Sequence, residues 1–279
     1  MNLTTLVENT CGRSNLKPQH GLSLLVRSGN GNILFDCGQD QTFSENAAEM
    51  AIDIREISAA VISHGHYDHG GGLETFLAMN TESPVYIRQG ADGDFAARIF
   101  FRYRYIGLDQ TLFHRFPGRF IRVDGDREIA PGIHLLTSIP REYPPPGGNR
   151  RLMVQHQDRY EPDPFSHELL MVVDEPDGIV VVTGCGHSGI LNLLSAARRR
   201  FPGKPVKAVV GGFHLIGNPV LGTMGVSPAA VRRLAEEFRS LSCRTVLTGH
   251  CTGTRAARIL KEELGGTLKL LSTGCTIDL

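Results

Sequence analysis

The chain has 279 residues, 41% of them hydrophobic, which is enough for a large core in one big domain or two small ones. Its 29 Lys and Arg balance 29 Asp and Glu, so there is no global basic field to make nucleic acid the default partner, and any anion recognition has to be local. Six cysteines without a C-x-x-C pair, a start without a basic and apolar leader, and no apolar run near the ~20 residues that cross a bilayer predict a reduced, cytoplasmic protein with no membrane partner.

Residues 21–26 and 32–36 read as strands, with Ser28-Gly29-Asn30-Gly31 supplying hairpin turn chemistry between them. Ser44 has the character of an N-cap, opening a helical pattern through Ala47, Met50, Ala51 and Ile54 to Glu56. The apolar strand 59–63 then delivers His64-Gly65-His66-Tyr67-Asp68-His69, three imidazoles and a carboxylate within six residues. Imidazole and carboxylate suit zinc, iron or manganese, and a strand that ends in such a cluster holds ligands rigidly while leaving positions for water or substrate. Gly70-Gly71-Gly72 permits close backbone approach before a helix over 73–78.

The middle has a different texture. Arg98, Arg102, Arg104, Arg115, Arg119 and Arg122 are interleaved with phenylalanines and tyrosines, and Tyr143-Pro144-Pro145-Pro146-Gly147-Gly148 is neither helix nor central strand. The expectation is a single domain over 1–279 in which roughly 90–165 is an insertion capping the site, with a dimer contact made of arginines over aromatics as the alternative. Regular pattern returns with strands 169–173 and 178–183, a helix over 189–200, a strand at 206–210, a helix over 228–241 opened by Ser227-Pro228, and a strand at 245–247.

Three further segments set histidine beside glycine after an apolar strand: Thr183-Gly184-Cys185-Gly186-His187, Gly211-Gly212-Phe213-His214 and Thr248-Gly249-His250-Cys251-Thr252-Gly253. Repetition of this pattern implies that strand ends converge on one site, as ligand pockets of α/β sheets do. The opening motif resembles that of the metallo-β-lactamase superfamily. Together the four blocks resemble its dihydropterin synthase-like branch, from Phe35-Asp36 to the C-terminus, with the 90–165 region largely unmatched.

The resemblance implies an α/β fold, a four-layer αβ/βα sandwich of two mixed sheets flanked by helices. It implies His64 and His66 on one metal ion, and Asp68, His69 and His250 on a second. The third ligand of the first ion is open between His187 and Cys185, and His214 is a ligand, an outer group or a substrate contact. The remaining histidines, His20, His114, His134, His156 and His167, have no comparable setting, although His167-Glu168 precedes a core strand and could line the pocket.

The chemistry expected is hydrolytic. Two divalent ions, Zn2+ in the first instance with Fe2+ or Mn2+ as alternatives, share and activate a hydroxide against a small anionic substrate, and Asp68 orients the nucleophile or relays a proton. Arg102, Arg104 and Thr252 are the expected substrate contacts. The competing readings are an iron-dependent oxygen or redox protein and a metal-ordered binder without catalysis; a homodimer is compatible with each.

Overall fold

A computed structural model describes residues 1–218 and 221–279. In chain order its strands and helices begin with β1 (Asn2–Val7), β2 (Ser23–Ser28), β3 (Gly31–Phe35), α1 (Thr42–Glu49), β4 (Ala59–Ile62), α2 (Tyr67–Gly70), α3 (Leu73–Met79) and β5 (Val85–Arg88). The middle supplies β6 (Phe95–Ile99), β7 (Arg102–Tyr105), α4 (Thr111–Arg115), β8 (Phe120–Val123), β9 (Arg127–Ala130), β10 (Ile133–Leu136), β11 (Leu152–His156) and β12 (Arg159–Pro162). The last part contains β13 (Leu170–Glu175), β14 (Gly178–Val182), α5 (Ile190–Arg200), β15 (Val206–Gly211), α6 (Pro228–Ser240), β16 (Thr245–Thr248), α7 (Thr254–Leu264), β17 (Leu268–Leu270) and β18 (Thr276–Asp278).

These elements form two compact units. The first, Met1–Asp124 with Arg151–Glu168 and Leu271–Leu279, holds a mixed sheet in the order β18-β1-β2-β3-β4-β5-β8 and a smaller sheet β12-β11-β6-β7. The second, Gly125–Arg150 with Leu169–Leu270, holds a mixed sheet β17-β16-β15-β14-β13-β10-β9. The expected α/β class with two mixed sheets and packed helices is what the chain adopts.

Local chemistry explains most of this. Ser28 pairs with Gly31 across the two-residue Gly29-Asn30 loop, so the β2–β3 hairpin forms as expected. Strands β3, β4 and β5 run parallel, and their Leu34, Ala60, Ile62, Val85 and Ile87 pack with Phe43 of α1 and Phe76 of α3 in the first core. In the second unit β14, β15 and β16 are parallel, and α5, α6 and α7 bury Leu193, Phe238 and Leu260 in its core. Ser227 caps α6 by accepting from the Ala230 N–H, with Pro228 at the first turn.

Helix α1 departs from expectation. Ser44 is inside it, its hydroxyl donating to the Gln41 carbonyl, and the start is fixed by Asp40, which accepts from the Thr42 N–H and hydroxyl. The helix stops at Glu49, before Ala51 takes a left-handed φ of 55°, and Asp53 starts a separate 3-10 turn at Ile54–Glu56. Residues 90–165 divide between the sheets: β8 closes the first large sheet, β9 and β10 join the second, and β6, β7, β11 and β12 make the smaller one.

Candidate metal centre

In the first unit the motif leaves the C-terminal end of β4 beside the end of β3, where Asp36 follows Phe35 with a left-handed φ of 61°. Asp36 is fully buried and accepts from the Ser63 N–H and hydroxyl, each at 2.8 Å, and from His69 Nδ1 at 2.6 Å. A hydroxyl has one proton, and Ser63 gives it to Asp36, so at 2.9 Å Ser63 Oγ accepts from the Nδ1–H of His64. His64 thereby carries its proton on Nδ1, and His69 gives its Nδ1–H to Asp36, the orientation that metal-bound imidazoles owe to outer partners.

His64 Nε2 faces His66 Nδ1 at 3.0 Å. Burial holds the His64 imidazolium well below its usual range and pushes His66 down to about 3, with the neighbouring histidines adding to both effects. Neutral, buried imidazoles with facing ring nitrogens fit a divalent ion. Asp68 is largely buried, with Oδ2 at 3.3 Å from His20 Nε2 and 3.9 Å from His69 Nε2. The glycine run packs as expected, since a side chain at Gly71 would meet the Gln39 carbonyl at 2.1 Å.

In the second unit Cys185, His214 and His250 lie in the loops that follow β14, β15 and β16, three adjacent parallel strands, so the predicted convergence of strand ends holds within this unit. His187 is buried, and Asn149 brackets it: Nδ2 donates to the His187 carbonyl at 2.8 Å, so Oδ1 accepts from its Nδ1–H at 2.9 Å. His214 and His250 adopt left-handed φ of 45° and 48°, a conformation that non-glycine residues take at a cost and that gathers at functional sites. A ring nitrogen of His214 and the sulfurs of Cys185 and Cys251 lie within 4.8 Å of one another. Burial alone raises the Cys251 thiol, but Cys185, His250 and His214 outweigh it and hold that thiol well below its usual range. Thiolate and imidazole donors together suit zinc.

Thr252 is fully buried, with its hydroxyl accepting from the Phe213 N–H at 3.0 Å and paired with Thr248 Oγ1 at 2.6 Å, which ties two loops together. Arg102 and Arg104 are exposed on β7. The register places Arg104 opposite Ala97, and Ala97 and Tyr67 of the motif each pack against the cluster of Phe95, Ile106 and Val154. Phe100 and Phe101, at the tip of the same hairpin, are 89% and 99% exposed, Tyr103 stacks on Tyr160 at 3.9 Å, and Arg122 lies over Phe113.

Sequence reasoning missed Asp36, His20 and Asp163 as neighbours of the motif, and gave His167 only as a residue that could line the pocket. The last two join the motif through Gly65, whose N–H donates to His167 Nδ1 at 3.0 Å. A carboxylate that ends an apolar strand two residues ahead of Gly38 was the available signal for Asp36, and a place just before a core strand was that for His167; the other two carry none.

A family model for the metallo-beta-lactamase superfamily matches residues 16–185, more than half of the chain. The chain belongs to this superfamily. Over 97% of its length it is 28% identical to the 7,8-dihydropterin-6-methyl-4-(beta-D-ribofuranosyl)-aminobenzene-5'-phosphate synthase of Methanocaldococcus jannaschii, covering 94% of that protein. The crystal structure of Tm1679, described as a metal-dependent hydrolase of the beta-lactamase superfamily, is similar over 100% of this chain and 99% of that one, with a TM-score of 0.82 and 29% identity. Zn(2+)-bound PqqB from Methylobacterium extorquens, at 13% identity, 100% coverage of both chains and a TM-score of 0.64, is alike in fold alone. The expected superfamily and its dihydropterin synthase-like branch agree with these matches, and the chain is an enzyme of the metallo-β-lactamase fold. No helix among the described residues is long and apolar enough to cross a membrane.

Proposed function

We propose that the chain is a metal-dependent hydrolase holding two divalent ions, zinc in the first instance, and acting on a small anionic substrate: an ester, a phosphodiester or a phosphorylated pterin-like compound. The observation that carries this reading is the Asp36 network, which orients the rings of His64 and His69 through their Nδ1 atoms while His66 Nδ1 faces His64 Nε2 at 3.0 Å. In the first unit His64 and His66 are the donors to one ion and Asp68 and His69 to the other; in the second unit His187 and His250 are the donors, with Cys185 and His214 as additional ligands or their immediate support. The bound ions supply electrophilic activation of water and of the substrate oxygen.

The chain's own groups do the rest. Asp68 Oδ2, 3.3 Å from His20 Nε2, is the atom that takes up a proton and passes it toward solvent through the exposed His20. Arg102 and Arg104 meet the anionic group of the substrate, a role supported by the row Arg104-Ala97-Leu152 across β7, β6 and β11, whose inner members pack against the same Phe95, Ile106 and Val154 cluster as Tyr67. The pterin-like arm of the substrate range rests on the synthase relative. That no cysteine among the described residues forms a disulfide fits a reducing, cytoplasmic setting.

The test is turnover by the metal-loaded protein on a panel of esters, lactones, phosphodiesters and phosphorylated pterins. We expect hydrolysis of at least one anionic member, abolished by His66→Ala. No turnover anywhere on the panel, or an active His66→Ala enzyme, defeats the reading. Protein purified without oxygen that carries iron and no zinc instead favours the redox alternative.

A further inference from the structure

Asp163 and His167 stand apart from every residue assigned above, yet they reach the centre of the first motif. Both are buried, His167 at 2% exposure. His167 Nδ1 accepts from the Gly65 N–H at 3.0 Å, which requires a lone pair there and puts the ring proton on Nε2. That proton points at Asp163 Oδ2, 2.9 Å away, and Asp163 Oδ1 accepts from the Phe165 N–H at 2.7 Å. His167 also lies against Phe95, ring centroids 3.9 Å apart, and Phe95 and Phe165 approach His66 edge-on at 5.8 and 6.1 Å.

Gly65 is the link between the two facing imidazoles. A side chain there would meet the Ala91 carbonyl at 2.3 Å and Phe95 at 2.5 Å, so its backbone is pressed into the floor of this pocket and anchored only by His167 on its N–H side. We propose that Asp163 and His167 are positioning residues of the metal motif: the carboxylate fixes the His167 tautomer, His167 fixes the Gly65 peptide, and that peptide sets the separation of His64 and His66 before an ion binds. One donor atom each of His66, Asp163 and His167 lie within 4.8 Å of one another, but the Gly65 N–H occupies Nδ1 of His167 and the ring proton that faces Asp163 occupies Nε2, so the proposal assigns the pair to support and not to ligation. The inference rests on the metal reading given above.

The substitutions follow from the geometry. In Asp163→Asn one oxygen has to serve two donors, so the amide NH2 meets either the Phe165 N–H or the His167 proton. His167→Ala removes the acceptor for Gly65, whereas His167→Asn can return one near the position of Nδ1. Zinc affinity is measured by competition with a chromophoric chelator on stripped protein, together with zinc stoichiometry at saturation and the melting temperature of the metal-free form. Asp163→Asn and His167→Ala are expected to weaken zinc binding about 10- to 100-fold at unchanged stoichiometry, with His167→Asn recovering part of the loss. Unchanged affinity with a lowered melting temperature makes the pair ordinary core and overturns the inference. Loss of a whole zinc equivalent makes them ligands and overturns it too. In both cases the wild type still binds zinc and the metal reading stands; a wild type that binds none takes both down.

Discussion

The two units orient their imidazoles by the same device and with different chemistry. Each sets histidines in loops after parallel strands, and each spends left-handed backbone there, at Asp36 in one and at His214 and His250 in the other. The first unit then fixes its rings with buried carboxylates, Asp36 on Ser63 and His69 and Asp163 on His167. The second uses an amide on His187 and ties its loops with hydroxyls, Asn149 and the Thr248–Thr252 pair. A carboxylate partner makes an imidazole a stronger donor and makes its loss more damaging, because removing one member of a buried charged network strands the others. An amide partner gives direction with less at stake on either count.

The largest effect expected from this contrast is at Asp36. Asp36→Ala leaves the Ser63 N–H and hydroxyl and His69 Nδ1 without their acceptor in a fully buried position. A loss of about 3–5 kcal/mol is expected from urea unfolding of the metal-free protein, together with loss of bound zinc by elemental analysis. A loss no larger than that of an amide variant in the second unit would erase the distinction between the two. Next comes pH. Burial lowers His66 from 6.5 to about 3, so between those values the unfolded chain binds a proton that the folded chain refuses, and stability has to fall as pH falls below about 6.5. The metal-free protein should lose about 2 kcal/mol from this residue between pH 6.5 and 5, and His66→Gln should flatten that slope in the same unfolding series.

What the sequence made legible follows the range of the interactions. The ligand loops could be read because each places its donors directly after an apolar strand, and α6 because Ser227-Pro228 announces its first turn. The β6–β7 hairpin could not, since β7 is Arg102-Tyr103-Arg104-Tyr105 with all four residues exposed and offers no apolar alternation. Strand β1 was missed for the opposite reason, its face-to-face burial depending on β2 and on β18 from the far end of the chain. The supporting groups were the least visible. Asp36 is 33 residues from His69 and His167 is 102 from Gly65, so their local signals, a strand end and a place before a core strand, do not reveal the partner until the chain closes.

On the amide side, Asn149→Ala removes both bonds that bracket His187, for an expected cost of about 1–2 kcal/mol in the metal-free protein and a measurable weakening of zinc binding by chelator competition. An effect as large as that at Asp36 would show that the amide carries as much as the carboxylate.

The smallest expected effect separates general stability from ligand support within the second unit. Ser227→Ala removes the hydroxyl that accepts from the Ala230 N–H at the start of α6, worth about 1 kcal/mol. The segment from His214 returns to this helix through the Ile216–Met224 bridge and the Gly225 N–H on the Leu215 carbonyl at 2.7 Å, so the cap and the histidine share one loop. If the loop's own bonds hold His214, the variant loses its 1 kcal/mol in urea unfolding and keeps its zinc affinity. If affinity falls with it, the second unit orients its histidines through the stability of its helices, and the contrast lies between local carboxylate anchoring and a frame that has to be intact as a whole.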